Sequence, residues 1–140
     1  MDTSLSLQEL EADDWGEPTT DSRVVMRAYR LRRIPLRQLS VDDLRLLIGQ
    51  NIGMDYVVPV ALDHLKDDPF ISGLYYPGDL LEIVLSISPE FWPTHPNLYR
   101  IAETITEQVY NIIDDGGVSY TDNERERLRE LLRRFSHLSE

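Results

Sequence analysis

Three histidines, His64, His95 and His137, and no cysteine are what this chain of 140 residues offers to a metal or a nucleophilic mechanism. The histidines fall in different segments without ligand spacing, and no His-Glu-x-x-His pair occurs. Disulfides, thiol catalysis and cysteine-ligated zinc or iron–sulfur sites all need a sulfur ligand and are excluded. Glu103 and Glu107 stand one helical turn apart and could share an ion. A di-metal bundle also needs a Glu-x-x-His on a facing helix, and none is present. There is no glycine-rich phosphate loop and no Gly-x-Ser-x-Gly elbow. The expectation is a protein with no catalytic residues, no metal and no cofactor.

Residue types suited to recognition are more plentiful. Asp67-Asp68 and Asp114-Asp115 each fall at the end of a predicted helix, where the helix dipole disfavours negative charge. Carboxylates kept there suit contact with a cationic partner, although exposed loop aspartates cost little. Tyr75-Tyr76-Pro77-Gly78 is an aromatic turn. Its proline and glycine fix a tight bend, and its tyrosines either seat their rings on the core or anchor an interface. Phe91-Trp92, set between prolines, invites the same two readings, with burial preferred. Gly49-Gln-Asn-Ile-Gly53 permits close helix packing or a sharp turn.

The elements that would carry these residues are helical. Residues 1–22 read as an acidic mobile tail, with a short helix possible near 5–12, and Trp15 is the one residue a plain tail does not need. Over 23–33, Val24, Ala28 and Leu31 share a helical face, an extended alternative remains, and Pro35 ends the element. Ser40 caps a helix with Asp42 and Asp43 in its first turn and Val41, Leu44, Leu47 and Ile48 as its stripe. Asp55 starts the next helix, through Val58, Ala61, Leu62 and Leu65, with Pro59 in the first turn. Residues 69–78 form a loop. Asp79 then caps a short apolar helix, Leu80 to Ile87, with Glu82 completing a capping box. After the connector Pro89–Pro96, Leu98, Ile101, Ala102, Ile105, Val109, Ile112 and Ile113 mark a long helix ended by Gly116-Gly117. Thr121 and Glu124 open a last helix striped by Leu128, Leu131, Leu132 and Phe135. Five or six helices with short Pro/Gly-rich loops give an all-α, single compact bundle over 23–140.

The formal net charge is −11, from 25 acidic and 14 basic side chains. Residues 1–22 contain acids and no base. Residues 23–45 hold seven arginines against Asp42 and Asp43. Residues 46–122 are an anionic body with twelve acids against Lys66 and Arg100. Such a surface repels nucleic acid and anionic lipid and attracts cations. The apolar runs are too short to span a bilayer, and the first residues lack the basic flank and apolar stretch of a signal peptide. A cytoplasmic protein is expected.

Residues 34–92 carry a connected pattern: Ile34-Pro35-Leu36, Asp43-Leu-Arg-Leu-Leu-Ile-Gly-Gln50, Ile52-Gly53, Tyr56-Val-Val-Pro59-Val-Ala61-Leu62, Asp68-Pro69, Tyr75-Tyr-Pro-Gly-Asp-Leu-Leu81 and Phe91-Trp92. The pattern resembles a family of immunity proteins from bacterial contact-dependent growth inhibition systems, with Met54 where leucine is expected. The resemblance implies a non-enzymatic cytosolic protein that binds and neutralises the toxic C-terminal domain of a cognate effector. Such toxins are often nucleases with basic surfaces. In that reading Arg45, Gln50, Gly53, Pro59, Pro77, Gly78, Asp79 and Trp92 set helix ends and packing. Asp67, Asp68, Asp114 and Asp115 are expected to contact the toxin, with Tyr75 and Tyr76 as anchors. Neither nucleic acid nor membrane is expected as a partner. The alternative is a small helical DNA-binding or regulatory protein using Arg23–Arg37.

Overall fold

Short hydroxyl side chains fix where four of the helices begin. Ser6, Ser22, Ser40 and Thr121 each accept a hydrogen bond from the backbone N–H three residues on. Glu9, Asp43 and Glu124 return the bond to the backbone of Ser6, Ser40 and Thr121. These reciprocal pairs satisfy N–H groups that the first turn leaves without partners.

In the computed structural model, which describes residues 1–139, seven α-helices follow. They are α1 (Leu7–Glu11), α2 (Arg23–Leu31), α3 (Val41–Gly49), α4 (Met54–Asp67), α5 (Asp79–Leu85), α6 (Pro96–Asp114) and α7 (Asp122–Ser136). Short 3-10 turns cover Leu36–Gln38, Pro89–Thr94 and His137–Ser139. Among the described residues there is no sheet, only the isolated bridges Ser6–Pro35 and Ser72–Pro77. The fold is all-α, with one helix more than the five or six expected.

The short α5 is the hub. Leu80, Leu81, Val84 and Leu85 are buried, and α5 packs against α3, α4 and α7. The α4 stripe (Val57, Val58, Ala61, Leu62, Leu65) faces α3, α5 and α6, and the α6 stripe (Ala102, Ile105, Val109, Ile113) closes on α4 and α7. Trp92 is buried with its ring edge-on to Phe91, Tyr99 and Phe135. Pro59 lies in the second turn of α4, one residue further in than the expected start at Asp55 would put it. It removes the donor for the Asp55 carbonyl. Five buried residues of the same helix outweigh that loss.

Residues read from their charge as a tail are packed against the body. Leu7 is fully buried, Leu36 N–H donates to the Leu5 carbonyl, and Gln8 N–H donates to the Arg32 carbonyl. Gly53 explains the seat of Leu7. It adopts φ +62°, and a Cβ there would lie 2.6 Å from Leu7 Cδ2. Further on, the Trp15 ring lies 4.1 Å from the guanidinium carbon of Arg32, which is 1% exposed and donates to Glu11 (2.7 Å) and to the Asp13 carbonyl (2.9 Å). The acidic segment folds back onto the buried arginine that directly follows α2. Composition alone cannot show such a pairing.

Leu7→Ala tests this integration. Removing a fully enclosed leucine is expected to cost about 2–4 kcal/mol, read from the urea midpoint. A shift below about 0.5 kcal/mol, the size expected of a surface site, would mean that α1 does not share the core.

Candidate functional site

A buried carboxylate needs cationic or N–H partners, and Asp42 finds two arginines. Its side chain is 5% exposed in the first turn of α3. Arg45 Nε donates to Oδ1 at 2.9 Å, and Arg27 Nη2 reaches across from α2 to Oδ2 at 3.1 Å. The same Arg27 nitrogen reaches Asp43 Oδ1 at 2.6 Å. Burial pushes the Asp42 and Asp43 carboxyls up, but the arginine hydrogen bonds on both, with those of Ser40 on Asp43, outweigh it and hold both below the usual carboxylate value. Fixed through Nε, Arg45 lays its guanidinium on the Tyr75 ring, 4.4 Å from the centroid.

A second buried carboxylate shapes the aromatic loop. The sequence suggests Asp79 as the cap of its own helix, but the cap position belongs to Gly78, at φ +91°. Asp79 is the first helical residue, and its carboxylate turns back onto the loop. It accepts from Gly73 N–H at 2.7 Å and Tyr75 N–H at 3.2 Å. The Tyr120 hydroxyl occupies the space a Cβ at residue 78 would need and donates to the Pro77 carbonyl. Glu82 forms no capping box either. It accepts from the Tyr76 hydroxyl and from Arg127 Nη2 of α7 at 2.9 Å. Held from three sides, the loop presents Leu74 and Tyr75, 75% and 65% exposed.

Beside the loop runs an open groove of about 430 Å³. Tyr75, Tyr76, Ile83 and Leu131 give it apolar walls, and Arg45 and Arg127 border it. Arg127 stands over Tyr76 at 5.6 Å from the ring centroid, so each groove arginine faces a tyrosine. Of the residues expected at an interface, the structure brings Tyr75 and Tyr76 together here with Arg45 and Asp79. Asp67, Asp68, Asp114 and Asp115 are exposed at the ends of α4 and α6. Asp68 accepts from Phe70 N–H, and Asp114 lies 3.9 Å from Arg129. The loops carrying the two acidic pairs meet through the Phe70 and Tyr120 rings, whose centroids are 5.8 Å apart. Sequence reasoning missed Arg127, Glu82 and Tyr120 as parts of this site. Only the exclusion of Arg127 from the apolar stripe of α7 signalled it.

Half of the arginines in the stretch 23–37 are taken up by partners within the chain. Arg27 serves Asp42 and Asp43, Arg32 is buried under Glu11, Asp13 and Trp15, and Arg33 donates to the Gly16 carbonyl at 2.7 Å and Glu17 at 3.1 Å. Arg23, Arg30 and Arg37 are exposed. Among the described residues no three His, Cys, Asp or Glu side chains gather as metal ligands. Among the described residues no helix is long and apolar enough to cross a membrane.

Tyr120 makes the site sensitive to alkali. Burial first, then the nearby Glu82 and Glu124 carboxylates, push its hydroxyl from 10.0 up to about 12. An unfolded tyrosine ionises near its ordinary value while the folded one keeps its proton. The stabilisation is therefore full below pH 10 and disappears as pH rises toward 12. Urea midpoints from pH 7 to 11.5 are expected to fall steeply above pH 10 in the native chain. Tyr120→Phe should be less stable at pH 7 by about 1–2 kcal/mol, since it strands the Pro77 carbonyl, and less steep above pH 10.

A family model described as CDI immunity proteins matches residues 9–102. The match runs from α1 into α6, wider than the 34–92 resemblance, and takes in Arg27, Asp42, Arg45 and the whole loop that Asp79 supports. No curated protein and no solved structure matches the chain. With two thirds of its length inside the family model, including the aromatic loop and the carboxylates that brace it, this chain belongs to the CDI immunity proteins.

Proposed function

We propose that this protein guards the cell that makes it by binding, in the cytoplasm, the toxic C-terminal domain of a cognate contact-dependent growth inhibition effector. The toxin in this reading is a basic nuclease, and the inhibitor has no catalytic step of its own. The observation that carries the proposal is membership of the CDI immunity proteins. Two physical features support the form given to it. The segment 46–122 bears twelve acids against two bases, which draws a cationic partner by long-range attraction. Leu74 and Tyr75 stand out from a loop whose backbone is already fixed, so little ordering entropy is lost when they are covered.

The contact surface in this reading is the end of the molecule where the α4–α5 loop meets the segment after α6. Tyr75 and Tyr76 anchor the toxin, and Asp67, Asp68, Asp114 and Asp115 guide it. Opposite charge acts mainly on the rate of encounter, and anchors act on the rate of escape.

Co-expression with the toxin domain encoded beside this chain is expected to restore growth and yield a stable complex in which the toxin no longer cleaves nucleic acid. Replacing Asp67, Asp68, Asp114 and Asp115 together by Asn should slow association about tenfold at low salt and flatten its salt dependence. Tyr75→Ala should speed dissociation by about tenfold or more. No complex and no protection from that toxin would refute the proposal.

A further inference from the structure

The groove beside Tyr75 holds as many bases as acids, unlike the anionic body around it. Two acids line it, and both are satisfied within the chain. Asp79 accepts two backbone N–H bonds, and Glu82 accepts from Tyr76 and Arg127. Unused N–H groups remain on both arginines. Arg45 uses only Nε, toward Asp42, and among the described residues both its terminal amino groups meet no acceptor. Arg127 uses only Nη2, which leaves Nη1 and Nε without an acceptor among the described residues. Each guanidinium stands over a tyrosine ring, and that arrangement leaves the N–H groups in the plane of the fork pointing outward. Arg45 is also held from behind, because Asp42 is itself tied to Arg27. A planar, pre-oriented fork beside the apolar walls of Ile83 and Leu131 matches a carboxylate carried beside apolar side chains.

We infer that the groove between Tyr75 and Tyr76 is a carboxylate-accepting docking site. Its occupant is a segment of the toxin domain that presents an acidic side chain flanked by apolar residues, with Arg45 as the main contact and Arg127 as the second. The inference rests on the proposed function and gives that surface a register. The acids of the body attract any basic protein. A partner with a carboxylate at the matching place can take up the free guanidinium N–H groups, whereas one that brings a cation there meets two guanidiniums whose acids are already engaged. The two arginines also differ in origin. Arg45 lies within the family-matched residues 9–102, whereas Arg127 on α7 lies outside them.

The test uses the full-length chain and the toxin domain encoded beside it, with association and dissociation rates measured at low and high salt. Arg45→Met keeps the stem on Tyr75 and removes the fork. It is expected to weaken binding by about tenfold or more, almost wholly through faster dissociation, while Arg45→Lys recovers only part of the loss. Arg127→Met, at a side chain that is 56% exposed, should weaken binding less, and an unchanged urea midpoint is expected to show that the fold tolerates the loss of its pair with Glu82. Arg45→Glu should abolish protection, and toxin variants selected to restore binding to it should carry Lys or Arg in place of an acid. If the native chain binds and both methionine variants bind within twofold of it, the groove inference is wrong while the immunity reading stands. If the native chain does not bind, both fall.

Discussion

The structure turns on a carboxylate that cannot be buried alone. Taking Asp42 out of water costs several kcal/mol, and leaving it there without a partner would cost about 3–5 kcal/mol of stability. Arg27 and Arg45 meet that cost, and in doing so they fix much else. Arg27 docks α2 onto the start of α3 and also takes up Asp43, the residue that completes the α3 cap. Arg45, gripped through Nε, can point in one direction only, and there it meets the ring of Tyr75. Asp79 repeats the device from the other side with backbone donors. The exposed loop between the two aspartates therefore has less freedom than its exposure suggests.

This arrangement divides the charges by task. Arg27, Arg32 and Arg33 are taken up inside the chain by Glu11, Glu17, Asp42 and Asp43, so these three contribute cohesion more than field. Acids at the ends of α4 and α6 stay exposed and shape the long-range potential. The groove cations sit within that negative field, each beside a carboxylate that cancels much of its reach. Attraction at long range and discrimination at short range thus come from groups of opposite sign. One inhibitor can be reached quickly by a basic partner and still refuse the wrong one.

Much of the scaffold could be read from the chain because its signals are local. The caps at Ser40 and Thr121 and the stripes of α4, α6 and α7 depend on spacing within a few residues, and they appear where spacing puts them. Tyr75, Tyr76, Arg45 and Asp79 stood out as motif residues, and they do converge. Their partners did not stand out. Asp79 followed by Glu82 has the form of a capping box, but two loop N–H groups compete for the first carboxylate and Tyr76 with Arg127 for the second. The sequence separation of 45 residues between Glu82 and Arg127 carries no periodic trace. The same limit applies to the N-terminal segment. Its acids look like a solvated tail until Arg32 and the Leu7 seat at Gly53 are placed beside them.

Rigidity at the exposed loop has a direct consequence for inhibition. A protein that must keep a lethal partner silent needs a slow dissociation rate, and each side chain or loop ordered on binding subtracts from the free energy available for that. Here the ordering is done by folding. Asp79, Tyr120 and the stacked Arg45 fix the backbone around Leu74 and Tyr75 before any partner arrives. The same bracing makes the surface unforgiving, since a loop held on three sides cannot reshape itself around a different toxin. On α7, Arg127 and Leu131 line the groove from outside the matched region, and Arg127 reaches the loop only through the Glu82 and Tyr76 side chains. One wall of the groove is braced by carboxylates that hold the loop backbone, and the other meets the loop through side chains alone.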